Sequence, residues 1–519
     1  MLMWGVGACL VAVWVAAVCD LSSYATPRLT LRVALVTVAV SGAVGLLASR
    51  AVFYGLEYED AYEYMASARL AIEKPAAGWF NEVCLARSNP SQCDAQGATT
   101  HPIGYTSLIA LASRAVGSPA GAGRLISCLA AISLALVILL HALASGRLNP
   151  FTPWIVVFAS GPMATVLLFT TLSEPLATLF LTASFACLER AARASVPRTH
   201  WIGALCVLGA GLVRREHALA AVLFACVAIR RHFSAEEHRP TWSGVVAWGV
   251  AAGVLVGLGI SGPVDGSLAG HSAFSPLYTL HGVPAFFESF ISFDRFASMG
   301  VAIVVLAATA RTLPFSRYTL FLAGAYVALF ACFAQSFWVL AGEAIPPLHA
   351  DRYLVQLSGV VAIGTNAAFH DALRGSLGAR MKVCRSLLAG LALAALARGL
   401  VLRHRWASIE SNVRTRVVLA ACGAIKPPSV VVLSESLIAE ALCPDAATVN
   451  FGVVGETPVA ALSRQLARAG YLYYLPASED SASGRQRWKA SVAFMSSLHW
   501  TTAWEEGPHD PTRLLRAIR

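Results

Sequence analysis

The sequence predicts an α-helical polytopic membrane protein of about 11–12 transmembrane helices, followed by a small C-terminal α/β extracytoplasmic domain. Three observations lead there. Of the 519 residues, 57% are hydrophobic and 13% charged, and the mean hydropathy is +0.63. Soluble chains carry roughly 25% charged residues. Second, long and nearly uncharged stretches recur to about residue 402. In lipid such stretches satisfy their backbone only as helices, because a barrel needs short alternating segments. Third, the chain turns charged and Pro-punctuated from residue 403 onward. The expected domains are therefore 1–402 in the membrane and 403–519 outside it.

The apolar segments run at 3–18, 31–52, 124–144, 150–170, 173–189, 199–213, 216–229, 241–261, 296–310, 318–340, 353–370 and 386–402. Every second gap between them is basic. The first such gap carries Arg28 and Arg32, the next Arg147, then Arg190, Arg193 and Arg198. The series continues with Arg230, Arg231 and Arg239, then Arg311 and Arg317, and ends with Arg374, Arg380, Lys382 and Arg385. The positive-inside rule makes that face cytoplasmic and turns the other gaps and the tail outward. The same distribution excludes nucleic acid as the reason for the net charge of +10, because the arginines form no single patch. Basic residues other than Lys74, Lys382, Lys426 and Lys489 are arginines. With the richness in Ala and Gly, this suggests a bacterial source and hence the bacterial cytoplasmic (inner) membrane. Segment 3–18 lacks a basic leader and a clear cleavage site, which favours a helix over a cleaved signal peptide.

The expected chemistry sits on the outward side. The first outward loop, 54–123, is the longest connection, and loops of that length are usually functional. It opens with Glu57, Glu59, Asp60 and Glu63 directly after a membrane segment. Asp60 and Glu63 fit a capping box opening a helix over 60–72. Glu57 and Glu59 are left over, and clustered carboxylates suit a general base or a divalent-metal site. The loop ends in His101-Pro102-Ile103-Gly104-Tyr105 and an apolar run to Val116. That run is too short to span, so it is expected to lie at the interface.

Three more outward edges carry charge. Ser173-Glu174-Pro175 opens a helix, where Glu174 suits the positive end of the dipole. Arg214-Arg215-Glu216-His217 interrupts an apolar hairpin on the side where arginines are disfavoured. Those arginines need anionic partners, either Glu216 or a phosphate. Asp351-Arg352-Tyr353 stands at the mouth of a late helix. Asp351 and Arg352 either neutralise one another or serve a ligand. Of the twelve cysteines, Cys84, Cys93, Cys422 and Cys443 fall in outward regions. Cys84 and Cys93 are the expected disulfide pair, with four free thiols as the alternative.

These stretches, in this order, resemble the C-type glycosyltransferases (the GT-C superfamily), and within it the bacterial relatives of protein O-mannosyltransferases and aminoarabinose transferases. The resemblance covers residues from about 31 to 402 and rests on Glu57-x-Glu59-Asp60, His101-Pro102-x-x-Tyr105, Ser173-Glu174-Pro175, Gly211-Leu212-Val213-Arg214 and Asp351-Arg352-Tyr353. It departs where Ile103 replaces a second Pro and where the acidic pair reads Glu-Asp instead of Asp-Glu. The resemblance implies a sugar donor on polyprenyl phosphate, transfer with inversion at the anomeric carbon, and a lipid, glycan or protein acceptor. It makes Asp60 the base, or a ligand of a divalent metal (Mg, Mn or Zn), with Glu59 as understudy. Arg214, Arg215 and Arg352 would hold the leaving phosphate, and His101 and Tyr105 would line the substrate side. Glu57, Glu174, Asp351 and Tyr353 complete the candidate set. The alternative is a transporter or flippase of lipid-linked sugars, but neither internal repeats nor broken mid-membrane helices are evident.

The tail reads as a strand at 430–433, a helix at 457–469, a strand at 471–475 and a helix at 486–499. It carries no Gly-rich phosphate loop.

Overall fold

The computed structural model describes residues 2–23, 26–51, 59–73, 102–167, 172–194, 196–233, 242–261, 279–310, 314–332, 353–374, 378–407, 420, 422–423 and five strands between 430 and 518. Some side chains within those helices are not described. The chain divides into two compact units. One comprises 1–4, 54–123 and 407–519, and the other 5–53 and 124–406.

The helices of the larger unit follow the apolar segments. They are α1 (Leu2–Ser22), α2 (Pro27–Ala51), then, after two helices of the other unit, α5 (Pro119–Ala144), α6 (Thr152–Leu167), α7 (Glu174–Ala194) and α8 (Pro197–Val213). After them come α9 (Ala218–Phe233), α10 (Trp242–Ser261), α11 (Thr279–Ile291), α12 (Ala297–Thr309), α13 (Pro314–Ala331), α14 (Ser358–Arg374) and α15 (Gly378–Ala407). Two 3-10 turns interrupt the run, Arg215–His217 between α8 and α9, and Val355–Leu357 before α14. Among the described residues, two helices (Trp4–Ser22 and Pro119–Ala144) are long and apolar enough to cross a membrane. Hydropathy did not mark α11, because its 13 residues contain Pro284 and fall short of a span.

Polar side chains join these helices at their ends. Asp20, at the end of α1, is buried and accepts from Thr199 Oγ1 of α8 at 3.0 Å. Leu10, Ala17 and Leu21 of the same helix are buried too, so α1 is packed into the unit. Within α6, Gly161 adopts φ 73° beside Pro162 and kinks the helix. A Cβ at Gly161 would meet the Arg295 carbonyl at 3.0 Å, which together with its positive φ restricts the position to glycine. Gly359 of α14 lies so close to α7 that a Cβ there would overlap the Thr182 hydroxyl.

The smaller unit holds α3 (Glu59–Glu73), α4 (Ile103–Val116) and a mixed sheet. Both helices fall where the sequence placed them. They pack on one another through Tyr64 and Tyr105, whose rings meet edge to face at 5.0 Å. Gly117, at φ 83°, caps α4 with its N–H on the Ser113 carbonyl.

The sheet has the order β2-β1-β3-β5-β4, formed by β1 (Val430–Ser434), β2 (Ala447–Asn450), β3 (Tyr471–Leu475), β4 (His499–Glu505) and β5 (Arg513–Ile518). β1 is parallel to β2 and β3, whereas β5 is antiparallel to β3 and β4. Parallel neighbours require crossover connections of a dozen or more residues. Segments 435–446 and 451–470 have that length. Of the two helices expected in the tail, 457–469 lies outside the described residues. The second, 486–499, is corrected at its end: His499 opens β4, with its ladder to β5 supplying the hydrogen bonds.

Candidate functional site

A polar cluster forms in the larger unit where the start of α7, the α8–α9 junction, α13 and the start of α14 meet. Its centre is Arg214, the C-cap of α8, whose extended backbone (φ −149°) breaks the helix before the 3-10 turn. Its Nη1 donates to Glu174 Oε1 at 2.8 Å and to Ser173 Oγ at 3.2 Å. Its Nε donates to Glu216 Oε1 at 2.5 Å. Its guanidinium carbon stands 5.1 Å from the centroid of the Tyr353 ring. Arg214 is 7% exposed and Glu174 0%, so this is a buried, charge-assisted arrangement.

The local sequence explains the placement. Glu174 is the first residue of α7, where a carboxylate suits the free N–H groups and the dipole. Thr178 and Thr182 return their hydroxyls to carbonyls four residues back, at 2.7 and 2.6 Å, and so demand no further partner. Gln356, in the turn before α14, donates from Nε2 to Glu216 Oε1 at 3.2 Å. His217 Nδ1 is 2.5 Å from the Tyr326 hydroxyl of α13. Around them Phe286, Tyr326, Phe330 and Tyr353 form a bank of rings, with Phe330 and Tyr353 4.9 Å apart.

The charge states follow from these contacts. Burial pushes the Glu216 carboxyl up, but Arg214, His217 and two hydrogen bonds outweigh it and hold it at about 2. Burial drives His217 down to about 4, with Glu216 opposing and Arg214 assisting, so its imidazole is neutral at neutral pH. Glu216 is thus ionised beside the Arg214 guanidinium.

The structure thus brings Glu174, Arg214 and Tyr353 of the expected set into one cluster, with half-buried Arg215 next in the chain. It draws in Ser173, Glu216, His217, Tyr326 and Gln356 as well. Gln356 could have been marked as a lone amide in an apolar stretch, and Tyr326 carries no sequence signal of this kind. In the smaller unit, Glu59 and Asp60 occupy the first turn of α3. Tyr105 is fully buried under α3, its hydroxyl donating to the Gly123 carbonyl at 3.3 Å, so it steadies the helix that carries them. Glu57, His101, Asp351, Arg352, Cys84 and Cys93 lie outside the described residues. Cys422 is disulfide-bonded.

A second polar cluster lies at the opposite end of α7. His141 of α5 is 2.6 Å from Glu189, Arg147 is 3.6 Å from Glu189, and Arg147 donates to Asp371 of α14 at 3.0 Å. Asn366 donates to the Arg147 carbonyl at 3.3 Å and accepts from Thr152 at 2.9 Å. Among the described residues no group of three or more His, Cys, Asp or Glu is arranged to hold a metal ion.

No protein-family model matches the chain, and no curated protein matches it. The solved structures similar to it over nearly its whole length include two of one protein. ArnT from Cupriavidus metallidurans bound to undecaprenyl phosphate superposes at a TM-score of 0.56 with 14% identity, covering 93% of this chain and 97% of that one. The apo state of the same protein gives 0.57 and 13% over the same shares. At such identity the likeness concerns the fold alone: the chain shares the fold of that ArnT.

Proposed function

We propose that the chain moves a sugar from a polyprenyl-phosphate donor to an acceptor on the outer face of the membrane, with inversion at the anomeric carbon. The observation that carries this reading is the fold likeness, over 93% of the chain, to a protein solved with undecaprenyl phosphate bound. An acceptor hydroxyl attacks the anomeric carbon, and its proton passes to the Asp60 carboxylate, with Glu59 the understudy. The bond from that carbon to the phosphate oxygen breaks, and polyprenyl phosphate leaves with the electron pair. Arg215 and Arg352 hold the leaving phosphate, where a fixed cation acts on developing charge. Arg214 stands beside Arg215, anchored by Glu174 and Glu216. Glu57, His101, Tyr105, Asp351 and Tyr353 are the further candidates for substrate binding.

The twelve apolar helices cross the bilayer, and the tail is an α/β domain on the outside. Two observations support that orientation: the basic gaps alternate along the sequence, and Cys422 is disulfide-bonded, as suits an oxidising compartment. The compartment is the periplasm or exterior of a bacterial inner membrane. A divalent cation on Asp60 is the second role open to that carboxylate.

The test is release of polyprenyl phosphate by purified protein in lipid across a panel of polyprenyl-phosphate sugars, with and without EDTA. The expected result is turnover of at least one donor and its loss in Asp60→Asn, in protein that still unfolds cooperatively. Insensitivity to EDTA assigns Asp60 as the base alone. Lipid binding with no turnover of any donor contradicts transfer and points to transport.

A further inference from the structure

Two polar atoms of the Arg214 cluster are shut off from solvent and have no hydrogen-bond partner among the described residues: His217 Nε2 and Gln356 Oε1. Both residues are 0% exposed. An orphaned buried polar atom costs about 1–3 kcal/mol. Such atoms in a native fold call for an explanation in a water, an ion or a ligand. These two are not scattered. His217 follows Glu216 in the chain, and Gln356 donates its amide to the Glu216 carboxylate, so both flank one anion. Each is also held by its other end, the imidazole by Tyr326 and the amide by Glu216. The ring bank of Phe286, Tyr326, Phe330 and Tyr353 adjoins them.

We propose that His217 and Gln356 form the subsite that recognises a hydroxyl of the transferred sugar. With the Tyr326 hydroxyl donating to Nδ1, the ring proton sits on Nε2 and donates to the sugar oxygen. Gln356 Oε1 accepts the hydroxyl proton. A hydroxyl is the group that needs one donor and one acceptor together. A phosphate oxygen does not fit: it has no proton for Gln356 Oε1, and the ionised Glu216 carboxylate that Gln356 holds would repel it. The low basicity of His217 keeps the imidazole neutral, which suits a neutral ligand. Rings beside a few fixed polar groups are the usual lining of a small-ligand site. The inference rests on the transfer reading for the identity of the ligand but assigns residues that reading does not use.

The experiment compares wild type with His217→Gln and Gln356→Met, purified in detergent with lipid. Thermal stabilisation is read with undecaprenyl phosphate alone and with undecaprenyl-phosphate-linked glucose, mannose, galactose and arabinose. Turnover is read from released undecaprenyl phosphate. The expected result is that wild type gains extra stability from at least one sugar-bearing lipid. Both variants keep the response to undecaprenyl phosphate and lose that sugar increment. For a donor that is turned over, kcat/KM falls at least about 10-fold, because a site built to hydrogen-bond a hydroxyl loses discrimination with either partner. If one variant fails to fold, the other decides. Retention of the sugar increment and donor ranking in a folded variant overturns the subsite and leaves the orphan atoms to a buried water; wild-type turnover then still upholds transfer. A sugar increment that depends on these residues, with no turnover of any donor, keeps the subsite and removes transfer. No sugar increment in wild type overturns the subsite.

Discussion

Glu174 and Glu189 sit on the same helix, 15 residues and about 22 Å apart, and each meets an arginine from elsewhere in the fold. Their surroundings differ. Around Glu189, His141, Arg147, Asp371, Asn366 and Thr152 link α5, α6, α7 and α14, and their contacts hold helix to helix. Around Glu174 the same kind of pairing leaves a neutral imidazole and an amide oxygen buried without partners beside a bank of rings. Both ends keep unmet hydrogen-bonding capacity, but Arg147 Nη1 faces the Glu189 carboxylate at 3.6 Å, whereas His217 Nε2 and Gln356 Oε1 adjoin a bank of rings. Neither buried polarity nor an unpaired polar atom alone therefore marks a site; a donor and an acceptor left over beside an aromatic wall do.

The sharpest way to break that contrast is to remove each arginine. Arg214→Met strands the 0% exposed Glu174 and is expected to destabilise the protein by about 3–5 kcal/mol. Arg147→Met leaves Glu189 with His141, and Asp371 is 26% exposed to solvent, so about 1–2 kcal/mol is expected. Thermal unfolding in detergent checks both, and equal losses would erase the contrast.

The next effect is pH dependence. His217 is lowered from 6.5 to about 4 in the folded state. Between those values the unfolded chain binds a proton that the folded one refuses, so this residue removes stability as pH falls from 6.5 to 4. The loss is about 3 kcal/mol at most. His217→Gln should flatten the stability profile in that window, and an unchanged slope would show that the ring is not held neutral. Glu216 works at lower pH: its depressed carboxyl contributes stability above 4.5 that is lost as pH falls towards 2.

A smaller effect separates packing from polarity. Gly359→Ala forces α14 away from Thr182 on α7 and is expected to cost about 1–3 kcal/mol, measured as a fall in unfolding temperature. No change would mean the two helices are not held at the distance the cluster geometry needs.

Much of the fold was legible because an uncharged run of helical length is a simple local pattern. Uncharged runs of helical length fall on α1, α2, α5–α10 and α12–α15. The helix expected over 60–72 falls on α3, although α3 opens at Glu59 and so places Asp60 within its first turn, and the apolar run to Val116 falls on α4. What escaped was short or non-local. Proline-containing α11 is too brief for a hydropathy window. β2, β4 and β5 depend on neighbours distant in sequence, and β5 carries Leu514, Leu515 and Arg516 in an order that favours neither period. Within the site, Glu174, Arg214 and Tyr353 stood out as charge or motif at helix mouths. His217 gains its meaning from Tyr326, 109 residues away, and Gln356 from Glu216, 140 residues away. No local window holds both partners.

The most direct test of the contrast between the two ends of α7 is a matched pair, Glu174→Gln and Glu189→Gln, each assayed for release of polyprenyl phosphate from the best wild-type donor. Thermal unfolding is run alongside to confirm folding. Glu174→Gln is expected to lose about 100-fold in turnover, as a misplaced Arg214 and Glu216 disturb the substrate geometry. Glu189→Gln should lose stability but keep turnover within a few-fold of wild type. Turnover lost at Glu189 and kept at Glu174 would contradict the account.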